Sequence, residues 1–280
     1  MKQKILKLVL CLALLIQTSA MFYSCDLDEE DDETGNDENT EEVYLLVEIS
    51  DNGGERTVFD YDNENRISKI TYYKPNNEVS SEEAFTYNNV RDLVLKSETN
   101  YTYNFAGETT YNKNGNRIEI FKNYQTGGYI GEEVELNDDG LPIKYFEEWS
   151  DVPYFYRDFS IYQYENGVVM RVDFECERSQ MNNTEYEPYG SIAYTYDNKK
   201  SPFIHCKTPK WYLIVGNGGY NDDYRSYKNN VLTIERVDND GKRTTESYTY
   251  TYNDDGFPLT RKTTAHNGYE IIETFKYEKK

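Results

Sequence analysis

Basic residues are scarce in this 280-residue chain: 30 Lys and Arg stand against 51 Asp and Glu, a formal charge of −21. That argues against nucleic acid as a partner, because binding it needs basic patches that release counterions. Anionic lipid headgroups are disfavoured on the same ground. Histidine is scarcer still. Only His205 and His266 are present, and neither sits in a nucleophile or metal motif. G-x-S-x-G, H-E-x-x-H, P-loop and Rossmann glycine patterns are all missing from the body. The many carboxylates single out no pair for glycoside hydrolysis. Asp238-Asn239-Asp240-Gly241 has the start of a calcium loop without its helical setting and reads better as a hairpin turn. The expectation is a protein that is not an enzyme and holds no cofactor and no metal. Helical periodicity is also missing from the segment that would remain after export.

The one long apolar run lies at the start. Lys2, Lys4 and Lys7 lead into Leu6 to Ile16, which is too short to span a bilayer as a stable helix. Residues 1–24 therefore read as a signal peptide. Two cleavage sites are open. Thr18-Ser19-Ala20 suits an ordinary signal peptidase, and Phe22-Tyr23-Ser24-Cys25 suits a lipoprotein peptidase, with Cys25 then lipidated. The favoured reading is the second. Residues 26 to 42 carry eleven Asp or Glu and no Lys or Arg. A block of like charge repels itself and does not fold. Residues 25–42 thus read as a lipidated cysteine and an acidic tether. After both segments the body, 43–280, keeps a charge of about −13.

Cysteine is too sparse for a disulfide framework. Of four cysteines, Cys11 leaves with the signal and Cys25 takes lipid. Cys176 and Cys206 occupy similar places in consecutive repeats. A disulfide between them and a pair of free buried thiols both fit. His205 beside Cys206 makes a poor zinc site without C-x-x-C spacing.

What the chain has in abundance is tyrosine, 29 in all. It recurs as aromatic-x-Tyr, then Asp or Asn, then a short turn, then an aliphatic residue. Copies include Phe59-Asp60-Tyr61-Asp62, Phe85-Thr86-Tyr87-Asn88, Tyr162-Gln163-Tyr164-Glu165, Tyr194-Thr195-Tyr196-Asp197 and Tyr250-Thr251-Tyr252-Asn253. A fixed period of this kind means one supersecondary unit copied in series. Alternation such as Tyr248, Tyr250, Tyr252 marks half-buried antiparallel strands. Asn114-Gly115, Asp139-Gly140, Asn166-Gly167 and Asp255-Gly256 supply hairpin turns. The fold class expected is all-β: a single elongated, twisted or curled antiparallel β-meander of about eight or nine hairpin repeats, roughly 16 to 18 strands. Its tyrosines would form cross-strand ladders with their hydroxyls kept wet.

One stretch breaks the repeat. An insertion near 207–223 carries an apolar run, Trp211-Tyr212-Leu213-Ile214-Val215, and a Gly-rich loop ending in Tyr220. It reads as a hydrophobic plug or as a binding loop on a rigid scaffold. Trp211, Tyr212 and Tyr220, with Trp149 apart, are the candidate ligand-binding residues.

Tyr194-Thr195-Tyr196-Asp197-Asn198-Lys199-Lys200-Ser201-Pro202-Phe203, Ser226-Tyr227-Lys228-Asn229-Asn230-Val231 and Tyr252-Asn253-Asp254-Asp255-Gly256-Phe257-Pro258 resemble a set of Bacteroidetes lipoproteins of unknown function, the domain-of-unknown-function family 4595. The repeat is also similar to the tyrosine–aspartate repeats of Rhs-type shells. The resemblance implies an all-β body and a lipid-anchored, surface-exposed place on the outer membrane. It implies no activity and no catalytic residues. The phenylalanine and tyrosine before Ser24 also resemble the looser lipoboxes of Bacteroidetes lipoproteins. The acidic block resembles the export signal of their surface lipoproteins. The functional expectation is a surface module that binds glycan, or else an accessory subunit of an outer-membrane protein complex. The lipid would hold it to the membrane.

If the lipoprotein reading is right, mass spectrometry of the mature protein will find an acylated Cys25 at the N-terminus. A free N-terminus at Met21 would refute it.

Overall fold

The structure, a computed structural model, describes residues 42–280 apart from 125–128, 152–153, 181–182 and 217–226. The first eight strands are β1 Tyr44–Asp51, β2 Arg56–Tyr61, β3 Ile67–Tyr73, β4 Val79–Tyr87, β5 Leu93–Asn100, β6 Phe105–Asn114, β7 Arg117–Tyr124 and β8 Tyr129–Leu136. The rest are β9 Pro142–Asp151, β10 Tyr154–Glu165, β11 Val168–Gln180, β12 Asn183–Tyr196, β13 Val231–Asp238, β14 Arg243–Tyr252, β15 Pro258–Thr264 and β16 Glu270–Lys279. One short helix, α1 Lys210–Val215, lies between β12 and β13.

Each strand pairs antiparallel with the next, and β1 pairs with β16. The sheet is therefore a closed barrel of sixteen strands, not the open meander expected from the repeat. Closure satisfies the N–H and C=O rows that two edge strands would leave bare. The register slips at the tyrosine end of many hairpins, as at Asp60/Tyr61, Thr86/Tyr87, Gln163/Tyr164, Thr195/Tyr196 and Thr251/Tyr252. Such bulges bend a strand and increase its twist. Repeated around the sheet, they bring the last strand back to the first.

The Asp or Asn after the repeat tyrosine is the hub of most turns at that end, the β6–β7 and β10–β11 hairpins excepted. The Asn137 side chain accepts from the backbone N–H of Asp139 at 3.0 Å and of Leu141 at 2.9 Å. Asn88 does the same for Val90 and Asp92, and Asp62 for Glu64 and Arg66. The turn also needs one residue in the left-handed region, which glycine adopts without steric cost; Gly140 has φ 73° and Gly256 has φ 83°. Asp197 keeps the hub role although its turn has been replaced. It accepts from the Asn230 backbone N–H at 3.0 Å, and residues 198–229 are inserted between the two.

The repeat tyrosines point into the barrel. Their hydroxyls are not kept wet as expected. Tyr61 donates to the Leu46 carbonyl at 2.8 Å, Tyr87 to Ile67 at 2.8 Å, Tyr164 to Pro142 at 2.6 Å and Tyr196 to Val169 at 2.5 Å. Tyr250 and Tyr277 donate likewise to Val231 and Pro258. Each bond ties a strand end to a carbonyl of an adjacent strand. Around these rings the aliphatic residues of the strands, such as Leu46, Ile70, Ile118, Val134, Val172 and Ile234, form two buried clusters inside the barrel.

Tyr61→Phe keeps the ring and leaves the Leu46 carbonyl without its donor. It should cost about 1 to 3 kcal/mol in denaturant unfolding. The outward-facing Thr249→Val should stay within about 0.5 kcal/mol. Equal effects would mean the hydroxyls are spectators.

Candidate functional site

The two ends of the barrel differ. At one end stand the Asx-hubbed turns and the start of β1, and the 198–216 segment folds inward there. Phe203 meets Phe59 edge to face, with centroids 5.6 Å apart. The Thr208 hydroxyl accepts from the Ile67 N–H at 2.9 Å, and His205 Nδ1 accepts from the Tyr44 N–H at 2.9 Å. Helix α1 then places Trp211 against Tyr111 and Tyr212 against Phe85, centroids 5.4 Å apart in both pairs. This segment plugs the closed end.

At the other end, among the described residues, no segment enters the barrel. The inward-facing positions there change from apolar to charged. On β4 the inward row reads Tyr87, Phe85, Glu83. On β9 it reads Tyr145, Glu147, and on β14 Tyr250, Tyr248, Glu246. Solvent reaches some of these inward charges: the side chains of Glu98, Arg236 and Glu246 are 31 %, 33 % and 26 % exposed, while those of Glu83 and Glu132 are largely buried. The open half of the lumen is therefore a charged, wetted cup with an apolar floor.

Most cations in the cup are matched. Lys96 sits 3.6 Å from Glu83 and 3.5 Å from Glu98, and Lys122 pairs with Glu132. Arg236 pairs with Glu246 at 3.0 Å, and Arg261 with Glu273 at 2.5 Å. One wall is different. Glu132, Glu147, Asp158 and Cys176 face one another across β8, β9, β10 and β11 in a single register row, and Glu187 of β12 continues it. Burial and then the facing Glu132 raise the Glu147 carboxyl above its ordinary value. Burial does the same for Glu83, opposed by Lys96 and aided by Glu98. Burial, with Asp158 beside it, pushes the Cys176 thiol up to about 11.

Exposed aromatics stand at separate points of the open end: Tyr103 in the β5–β6 turn is 81 % exposed and Tyr269 in the β15–β16 turn 64 %, while Phe155 on β10, 67 % exposed, has the outward phase.

The residues singled out from sequence fall differently. Trp211 and Tyr212 are buried in the plug, at 4 % and 1 % exposed, so neither ring is available as a platform. Their apolar neighbours Leu213 and Ile214 are buried with them. Tyr220 lies outside the described residues, and of Trp149 only the backbone on β9, paired with Tyr156, is described. Cys176 and Cys206 are both free. The first stands in the open half on β11 and the second in the plug, so of the two readings left open by the sequence the free thiols stand. Cys25 lies outside the described residues. Asp238 caps an ordinary hairpin turn through Asp240 and Lys242. Glu83, Glu246 and Glu273 were not singled out. Each stands four residues before an inward tyrosine (Tyr87, Tyr250, Tyr277), and strand alternation puts both on one face.

No family profile matches the chain, and no curated protein matches it. Among solved structures it is similar to a porin-like protein from Bacteroides vulgatus at 12% identity and TM-score 0.42, covering 84% of this chain and 99% of that one. A porin-like protein from Bacteroides uniformis is similar at 11% identity and TM-score 0.37, covering 84% and 98%. A TcdB2–TccC3–Cdc42 structure is similar at 10% identity and TM-score 0.26, covering 81% of this chain and 14% of that one. These are loose likenesses of shape.

Raised carboxyl values in the fold mean that Glu83 and Glu147 bind protons more tightly folded than unfolded. Their contribution to stability is full below the ordinary value of 4.5 and is lost as pH rises through the folded values. Glu48, Asp62 and Glu82 are held low by their partners, so their contribution is full above the ordinary range and is lost only as pH falls below it. Glu147→Gln should therefore flatten the fall in Tm as pH rises above the ordinary carboxyl value. An unchanged slope would remove Glu147 from the account.

Proposed function

We propose that this is a non-enzymatic, lipid-anchored protein of the outer membrane, displayed at the surface, whose barrel stands in water and binds a glycan at its open mouth. The outward face of the strands supports the aqueous part. A barrel that crosses a bilayer needs an outward apolar band about 25 Å tall. Here the outward rows are polar. On β14 they read Arg243, Thr245, Ser247, Thr249, Thr251, and outward Thr195–Thr233 and Thr251–Thr260 hydroxyl pairs link strands at 2.6 and 2.7 Å. Outward ion pairs such as Lys69–Glu82 and Arg56–Glu48 continue the pattern. With the strands in water, attachment falls to a lipid on Cys25.

The observation that carries the binding reading is the charged cup, with Tyr103 and Tyr269 exposed at its open end. Sugar faces present C–H groups that pack on aromatic rings, and carboxylates below them take hydroxyls. A second reading, an accessory subunit of an outer-membrane complex, is favoured by one feature. Phe155, 67 % exposed, projects from the outward face of β10.

Cys25→Ala should release the protein from membranes as a species soluble without detergent. On a glycan array, Tyr103→Ala with Tyr269→Ala should lower binding at least tenfold and leave Tm unchanged. Continued membrane retention of the Cys25 variant would defeat the anchor, and undiminished array binding would move the site off the rim.

A further inference from the structure

At the mouth, strand β12 overruns its neighbour β13. It pairs with β13 only from Gly190 onward, and from Pro188 to Asn183 it pairs with β11 alone. The two stretches meet at a bulge. Glu175 stands opposite Pro188 and Phe174 opposite Gly190, so Tyr189 is the extra residue with no partner in the ladder. Both flanking residues suit this. A Cβ at Gly190 would lie 2.6 Å from the Val237 carbonyl oxygen, so only glycine fits there. Pro188 lacks an N–H, which costs nothing on an edge that β13 has left. Bulges re-aim a side chain and gather at barrel rims.

The side chain aimed by this bulge is an aromatic ring, and it faces the lumen. Tyr189 stacks on Phe174 with centroids 5.8 Å apart and planes 28° apart. Phe174 alternates with Val172 and packs against the buried cluster inside the barrel. Burial, then Asp158, Cys176 and Glu147, all inward, push the Tyr189 hydroxyl up to about 12. Those neighbours place the ring in the cup and make its surroundings acidic. Phe174 backs the ring, yet Tyr189 stays 38 % exposed. Glu187, on the same strand and opposite Cys176, is exposed as well. Packing alone does not call for a bulge that leaves the ring in water. A backed, solvent-facing ring beside a hydrogen-bond acceptor has the form of a stacking platform.

We infer that Tyr189 is the platform for one uncharged pyranose of the glycan at the mouth, with the apolar C–H face of the sugar on the ring and a sugar hydroxyl donating to Glu187. This rests on the mouth being a glycan site, and adds where one sugar lies and which charge it carries. A pyranose supplies both halves of the contact, a flat C–H face and donors around its edge. A flat aromatic ligand has the face without the donors. The acidic surroundings then select by charge. A uronic acid would bring its carboxylate against Asp158, Glu147 and Glu187, and such like-charge contacts reject the wrong partner. Phe174 holds the Tyr189 ring in place, so little freedom is lost when the sugar lands.

The test is titration calorimetry on the protein in non-ionic detergent, at low and at physiological salt. The probes are cellotetraose, mannotetraose and galactotetraose, with the matching tetramers of glucuronate, mannuronate and galacturonate. At least one neutral tetramer should bind about tenfold or more tighter than its uronate counterpart, and the gap should narrow as salt rises. Tyr189→Ala should weaken that binding about tenfold or more. Tyr189→Leu, which keeps apolar bulk over Phe174 without an aromatic face, should lose as much at unchanged Tm. Tyr189→Phe keeps the ring and should stay within about threefold of the wild type. Binding that survives Tyr189→Leu but falls in Tyr103→Ala with Tyr269→Ala would overturn the platform and leave the mouth as a glycan site. Uronates that bind as tightly as the neutral tetramers would overturn the charge selection. Absence of binding by every tetramer would overturn the platform and the glycan reading together.

Discussion

Sixteen strands enclose more room than their own side chains fill. Eight-stranded barrels pack solid, while barrels of sixteen strands and more leave an aqueous channel. Everything else in this molecule follows from how that space is divided. One half is filled by an insertion folded in from the end, carrying Phe203, Trp211 and Tyr212 into the aliphatic wall. The other half is left to water, and its inward positions are charged. The outer wall then has to be polar, because the apolar residues have been used inside. The arrangement inverts that of a membrane-crossing barrel.

The repeat serves closure as much as local structure. Tyr61, Tyr87, Tyr164 and Tyr196 donate to backbone carbonyls across strands, and the following Asp or Asn closes the turn. Those features were legible in the sequence: the strand alternation, the Asn-Gly and Asp-Gly turns, and the antiparallel neighbour order. Closure was not. The pairing of Ile49 with Phe275 depends on twist accumulated over sixteen strands, which no local pattern reports. Nor did the sequence show on which side of the sheet Tyr248 and Tyr250 would find cover, since a curled sheet and a barrel share the same alternation.

The candidate site was less legible than the fold. Trp211 reads from sequence as a plug or as a platform, and its apolar character drives it into the floor of the barrel as the plug. The insertion was recognised at 207–223, but the structural replacement begins at the Asp197 hub and ends at Asn230. Glu83, Glu147 and Asp158 were hidden among 51 acidic residues. Only their phase relative to Tyr87, Tyr145 and Tyr162 separates them from solvated carboxylates such as Glu82. The rim aromatics Tyr103 and Tyr269 stand outside the repeat signature, in the turns at the opposite end.

The central claim is that the strands stand in water and enclose a wet, charged half-lumen. Spin labels at Thr249 and Thr110, both on the outer wall, test it in native outer membranes by paramagnetic accessibility. The account predicts that a water-soluble nickel relaxant reaches both labels and that oxygen gives no lipid-like enhancement. Labels shielded from nickel and strongly relaxed by oxygen would put the outer wall in lipid and contradict it.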